Sequence, residues 1–282
     1  MSQTVSQTAS QDTARGHRAR LCIVTAADIE FKAVAGLLAA TSQISDGELK
    51  ICRGQFADQE IALLKSEVGA AGFAERLSPH LAGYDALLVI GLAGGLDPQL
   101  KTGDAVIYDL CFRAQFAPEE SNSKEKRRVR EENASVVCDP DFATRLFEKL
   151  RAAGIQCVRG AGLTIKRVVI EAENKLALGA HYGAAAVDME TYDVVAACAR
   201  AGVPAAALRI VLDEASDDLP DFNRALRADG STNVWRLLPA LLARPMITVR
   251  FIFSLRRAMR ALRMAASSVL DVEMTRQREW PK

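Results

Sequence analysis

The stretch Leu21-Cys-Ile-Val-Thr-Ala-Ala-Asp-Ile-Glu30 decides the fold class. Its opening run is apolar on both sides of an extended chain, so a strand there needs cover on both faces. That is the pattern of a central strand with helices above and below it. Two acids then open a helix, with Asp28 at a capping position and Glu30 in the first turn. The same alternation continues outward. Further strand-like runs fall at Leu49–Gln55, Glu60–Ser66, Ala86–Gly91, Ala105–Leu110, Ile155–Gly162, Ala184–Asp188 and Ala205–Leu212. Helical patterns fall at Ile29–Ala40, Phe73–Leu81, Pro140–Ala153, Ala172–His181 and Met189–Ala201. This order predicts an α/β protein, a three-layer α/β/α domain around a central mixed sheet, with a helical C-terminal extension.

At 282 residues the chain can bury a sizeable core, and its net charge of +1 gives no reason to expect nucleic acid as a partner. The charge is uneven, however: residues 224–282 carry 12 Arg/Lys against 4 Asp/Glu, whereas the first 223 carry 24 against 31. Six cysteines occur without a CxxC pair, and only three histidines are present, at 17, 80 and 181. These read as reduced, mostly buried thiols, and no metal site is expected. Residues 1–20 are rich in Ser, Gln and Thr and lack the apolar core of a signal peptide, so they read as a disordered extension. Residues 21–218 form the predicted catalytic domain, and residues 219–282 a basic helical extension packed on it. No run approaches the length of a membrane span, which favours a cytoplasmic protein. The charged segment Arg113–Asn133 reads as a solvated loop, with a flap or a subunit arm as the alternatives.

In open α/β sheets ligands bind beyond the carboxyl ends of strands, and three such ends carry acids. The first is Glu30, whose position also suits a helix N-terminus. The second is Ala185-Ala-Val-Asp-Met-Glu190, where Asp188 and Glu190 could be caps or could hold vicinal hydroxyls. The third is Val203-Pro-Ala-Ala-Ala-Leu-Arg-Ile-Val-Leu-Asp213. Arg209 is costly inside that strand unless paired, and Asp213 or another carboxylate is its natural partner. Two glycine stretches, Gly91-Leu-Ala-Gly-Gly-Leu96 and Val68-Gly-Ala-Ala-Gly72, permit close backbone approach but are weak signals by themselves.

Four stretches together resemble the nucleoside phosphorylase superfamily, and its methylthioadenosine/adenosylhomocysteine nucleosidase branch in particular. They are Ala62-Leu-Leu-Lys-Ser-Glu-Val-Gly69, Gly94-Gly-Leu-Asp-Pro-Gln-Leu-Lys-Thr-Gly-Asp104, Val187-Asp-Met-Glu190, and Gly202-Val-Pro with Arg209 and Asp213. The resemblance implies cleavage of a purine nucleoside at its N-glycosidic bond, without a metal or organic cofactor. It assigns Glu30 to the attacking water, Met189 and Glu190 to the ribose, and Asp213 to the purine N7. It places Gly91, Leu92, Ala93 and Gly94 beneath the ribose, with Arg209 in the substrate-binding set. An aromatic residue that stacks on adenine in the relatives is replaced around Val168, Val169 and Ile170. Leu92 and Leu212 stand where hydroxyl residues are usual. Leu92 removes a hydroxyl from the phosphate or water pocket and Leu212 another polar group beside the acid, which favours water over phosphate, though phosphate stays a candidate co-substrate. Relatives of this kind are usually dimers or larger homo-oligomers.

A looser resemblance covers the C-terminal part. Asp229-Gly-Ser231 and Leu237-Leu-Pro-Ala-Leu-Leu-Ala-Arg-Pro245, followed by an Arg-rich helix, are similar to hopanoid-associated members, which release adenine from adenosylhopane. A soluble nucleosidase of the methylthioadenosine type and a non-catalytic nucleoside-binding module are the alternatives. Leu255, Met259, Leu262, Ala266 and Val269 share one helix face, and Arg256, Arg260 and Arg263, with Arg257 nearby, form a parallel stripe. That helix either packs on the body or meets anionic lipid at the inner membrane surface.

Overall fold

The computed structural model describes residues 20–46, 49–57, 59–66, 72–116, 129–224 and 244–270. The N-terminal extension up to residue 19, most of the Val68–Gly72 stretch and the Asp229 and Leu237 motifs lie outside the described residues. Ten strands form one sheet: β1 (Arg20–Thr25), β2 (Ala39–Asp46), β3 (Leu49–Phe56), β4 (Gln59–Lys65), β5 (Ala86–Gly95), β6 (Ala105–Phe116), β7 (Val129–Val137), β8 (Cys157–Ile165), β9 (Ala184–Asp188) and β10 (Ala205–Asp213). The helices are α1 (Asp28–Ala35), α2 (Phe73–Leu77), α3 (Pro140–Ala152), α4 (Ala172–Tyr182), α5 (Thr191–Ala201) and α6 (Pro245–Val269).

The sheet is mixed. β1, β5 and β10 run parallel at its centre, with β4 parallel to β1, while β3 and β2 extend that side antiparallel. On the other side β10 pairs with β6, β6 with β8, β8 with β9, and β9 returns to β5 at Gly94–Val187 and Gly95–Ala186. Five strands therefore close into a ring, with the carboxyl ends of β5, β9 and β10 drawn together. Both faces of the central strands are buried because each meets its own helical layer. On one face Leu88 and Ile90 of β5 and Leu208 and Ile210 of β10 pack with residues of α1, α3 and α6. On the other, Leu87, Val89 and Val211 pack with α2 and α5. A smaller cluster joins α4 to β8 and β9 through Leu163, Ile165, Val169, Leu178 and Val187.

Three sequence expectations are corrected. The first helix stops at Ala35 rather than Ala40, because residues 39–46 pair with β3 as a hairpin. Gly54 permits this: a Cβ there would lie 2.9 Å from the Leu38 Cβ, so only glycine lets β3 pass that close. The charged segment from Arg113 is not simply a loop. β6 runs on to Phe116 and β7 begins at Val129, with Gln115 opposite Arg130. Backbone pairing at a sheet edge does not need apolar side chains, so a charge run conceals such a strand. Asp28 does not cap α1; it pairs with Lys65 at 2.7 Å, while Ala27 occupies the cap position.

The C-terminal helix α6 packs on the body. Its buried line is Ala258, Ala261, Leu262, Ala265, Ala266 and Val269, while Leu255 and Met259 are only partly covered. Small alanines bring the helix axis close to α1, α3 and β10, and the four predicted arginines stay exposed.

Candidate active site

Glu30 folds back on its own helix start. Its Oε2 accepts the backbone N–H groups of Ala26 and Ala27 at 3.0 and 2.9 Å, and Oε1 accepts that of Leu92 at 2.7 Å. The carboxylate therefore ties the β1–α1 turn to the end of β5, and does so while buried. Three donors leave further lone-pair sites on its oxygens for a water. Gly91 lies between this carboxylate and Arg209: an added Cβ would stand 2.7 Å from Arg209 Nη1 and 2.9 Å from Glu30 Oε1. Glycine is required there by close approach rather than by a turn.

Arg209 is 1% exposed, and its partners are on β9 and α5. Nε and Nη2 donate to Thr191 Oγ1 at 3.0 and 2.7 Å, Nε stands 3.4 Å from Asp188 Oδ2, and Nη2 stands 3.6 Å from Glu190 Oε2. Burial opposes the guanidinium charge, but Asp188, Glu190 and Glu30 outweigh it and raise the pKa above the usual arginine range. Of the expected partners, Asp213 or another carboxylate, Arg209 takes other carboxylates and not Asp213. Four residues of strand separate the two by roughly 13 Å, and nearer carboxylates satisfy the arginine.

Asp188 resolves as a structural acid. Its Oδ1 accepts from Glu190 N, Thr191 N and Thr164 Oγ1, and its Oδ2 from Thr191 Oγ1 at 2.6 Å. It accepts the backbone N–H groups of Glu190, the N-cap of α5, and of Thr191, and so presents Met189 and Glu190. Met189 is half-buried, and its carbonyl accepts from Lys166 Nζ at 3.3 Å. A cleft of about 280 Å³ is lined in part by Ser66, Phe73, Arg113, Lys166, Glu190 and Tyr192. Glu190 is the member of the predicted set on its wall.

Asp213 ends β10 and is 3% exposed. Its carboxylate lies against Gly94, where a Cβ would stand 3.4 Å from Oδ2 and 3.6 Å from Oδ1. Burial pushes the carboxyl up to about 6, against the opposing charge and hydrogen bond of Lys175. Lys175, fully buried on α4, donates to Asp213 Oδ2. The sequence reading missed Lys175, because a lysine within a helical pattern looks like any solvated lysine. Thr164 and Thr191 were missed as well, since threonine carries no positional signal at a strand end.

The register of β5 against β10 aligns Gly91 with Arg209 and Gly94 with Asp213. Two polar centres result: Glu30, Arg209 and Glu190 around Gly91, and Asp213 beside Gly94. Three strand residues separate them, roughly 10 Å. Leu92 and Ala93 lie between. Leu92 is partly buried against the core, offering its backbone N–H to Glu30, and Ala93 is buried. Val169 is packed in the α4 cluster, and the Ile170 carbonyl accepts from Leu219 N at 2.9 Å.

Residues 20–243 match the sequence model of the Phosphorylase superfamily. The chain belongs to that superfamily. Solved structures agree on the fold. A 5'-methylthioadenosine/S-adenosylhomocysteine nucleosidase from Helicobacter pylori, solved with butyl-thio-DADMe-Immucillin-A, is 18% identical with a TM-score of 0.64, over 90% of this chain and 99% of that one. The Neisseria meningitidis nucleosidase of the same name, in complex with methylthio-immucillin-A, is 18% identical with a TM-score of 0.64, over 89% and 98%. Futalosine hydrolase of Helicobacter pylori is 18% identical with a TM-score of 0.58, over 84% and 97%. In this superfamily member, groups of three or more His, Cys, Asp or Glu side chains able to hold a metal are absent among the described residues.

Proposed function

We propose that the protein cleaves the N-glycosidic bond of a purine nucleoside, with Asp213 protonating the leaving base and Glu190 holding the ribose hydroxyls. The observation that carries this reading is the pair of polar centres along β5 and β10, one with a buried acid whose pKa is raised and one with an arginine flanked by carboxylates. A purine leaves poorly as an anion, so a carboxylic acid with a raised pKa lowers the barrier by protonating N7. Positive charge then builds on the ribose, and Glu190 and Glu30 supply negative charge near it. Glu30, already fixed by three backbone donors, orients the attacking water. Water is favoured over phosphate because Leu92 contributes no hydroxyl to the acceptor region and its side chain is turned into core packing.

For the substrate, adenosylhopane is the reading favoured by α6. Met246 and Phe253 are 85% and 64% exposed, and Val249 and Ile252 are exposed beside them. Arg250, among these residues, pairs with Asp217 just beyond Asp213. An apolar surface joined in this way to the turn after the acid suits a lipid-linked nucleoside. A soluble methylthioadenosine-type nucleoside is the second reading, supported by the fold shared with those nucleosidases. Adenine release is measured on adenosine, methylthioadenosine and adenosylhopane, with and without phosphate. Release from adenosylhopane alone supports the first reading, and preference for methylthioadenosine supports the second. No release from any of the three removes the proposed activity.

A further inference from the structure

Lys175 is a lysine turned inward from a helix, whereas lysines ordinarily keep the ammonium in water. Its Nζ donates to Asp213 Oδ2, to the Asp217 carbonyl at 2.6 Å and to the Glu214 carbonyl at 3.3 Å. Three acceptors meet the three donors of an ammonium. All three belong to residues 213–217, so one side chain from α4 grips the whole turn that carries the acid. A buried ion pair is a weak source of stability, since packed apolar groups of similar volume often do as well. Its meaning is therefore sought in what it does to Asp213.

We propose that Lys175 is a positioning residue for Asp213: its ammonium holds one carboxylate oxygen, leaves the other to meet the leaving base, and stabilises the charged form that remains once the proton has been given up. This rests on the reading of Asp213 as the acid. The charged groups around Asp213 are Lys175 from α4 and Asp217 from the turn itself. One step further out, Arg250 of α6 pairs with Asp217, and Lys101 pairs with Glu214 at 2.9 Å. Burial and Asp217 favour the neutral acid, and Lys175 opposes both. The lysine thus keeps the acid within reach of ionisation, so that it can be regenerated after each turnover.

Lys175→Gln keeps N–H donors for the carbonyls and removes the charge. The Asp213 carboxyl is titrated by carbon-13 NMR, assigned by its loss in Asp213→Asn. Removing the cation disfavours the carboxylate, so the midpoint rises by about one pH unit or more. The alkaline limb of kcat/KM moves up by the same amount, because the active form is the protonated one. A folded Lys175→Gln protein with an unmoved midpoint overturns the proposal, since a packing role alters stability alone. Should that variant fail to fold, the neutral pair Lys175→Gln/Asp213→Asn is compared. Recovery of folding by the second change reports the same coupling, and failure to recover assigns Lys175 to packing and overturns the proposal. The titration needs no turnover. A shifted midpoint in a protein that releases no purine leaves the Lys175–Asp213 relation standing and removes the nucleosidase reading instead.

Discussion

Asp213 sets the behaviour expected at the scale of single residues. Asp213→Asn keeps the shape of the side chain but cannot donate a carboxylic proton, so turnover falls by about 100-fold or more. Steady-state kinetics on the folded variant check this. The wild-type rate falls as pH rises through the Asp213 midpoint of about 6. Stability carries the same signature. The folded pKa of about 6 lies above the ordinary 3.8, so the folded state holds more proton between the two values. The contribution of Asp213 is present below pH 3.8 and is lost as pH rises through about 6. Thermal melts of wild type and Asp213→Asn across that window diverge, with the variant showing the flatter profile. Arg209 behaves differently. Its removal leaves Asp188 and Glu190 buried with less compensation, so Arg209→Met destabilises the fold by about 3–5 kcal/mol, measured by denaturant unfolding.

Among the elements, α6 has a core-facing line, and we propose a separate membrane-facing role for its outer face. Its inner line is core, and Leu262 is fully buried between the helix and the sheet. Leu262→Ala therefore costs about 2–5 kcal/mol, again read by denaturant unfolding. Its outer face joins exposed Met246, Val249, Ile252 and Phe253 to the exposed stripe of Arg256, Arg257, Arg260 and Arg263. That combination is the amphipathic pattern of a helix lying on a membrane surface. Among the described residues no helix is long and apolar enough to cross a membrane. Co-sedimentation with anionic liposomes should be strong at low salt and weak at high salt. Replacing the four arginines with glutamine should abolish it, and equal, negligible binding by both proteins would remove the membrane role.

For the whole molecule, the closed ring of β5, β10, β6, β8 and β9, with β1 paired beside β5, brings acids from three distant sequence stretches to one end of the sheet. In the proposed reaction, the acceptor of the sugar depends on what the residues around Leu92 offer at this scale. Hydrolysis predicts that turnover is unchanged by added phosphate and that the free sugar is the product. Strict phosphate dependence with a sugar 1-phosphate product would show that residues other than the one at 92 bind the anion.

The sequence by itself determined the layered α/β class, because β1, β5 and β10 are apolar on both faces and no other architecture covers them. It also marked Glu30, Glu190 and Asp213, since each acid lies at or just beyond the end of a buried strand. The β2 hairpin was not legible, because its polar residues show neither strict alternation nor an apolar run. The strand ends at Phe116 and Val129 were hidden by charge, which backbone pairing at an edge does not register. Only the tertiary structure decided who pairs with whom. Arg209 takes Asp188 at the end of β9 and Glu190 at the start of α5, both reached across the ring, rather than Asp213 from its own strand, which stands farther along β10. Lys175 finds Asp213 from 38 residues away, a distance along the chain that no local pattern encodes.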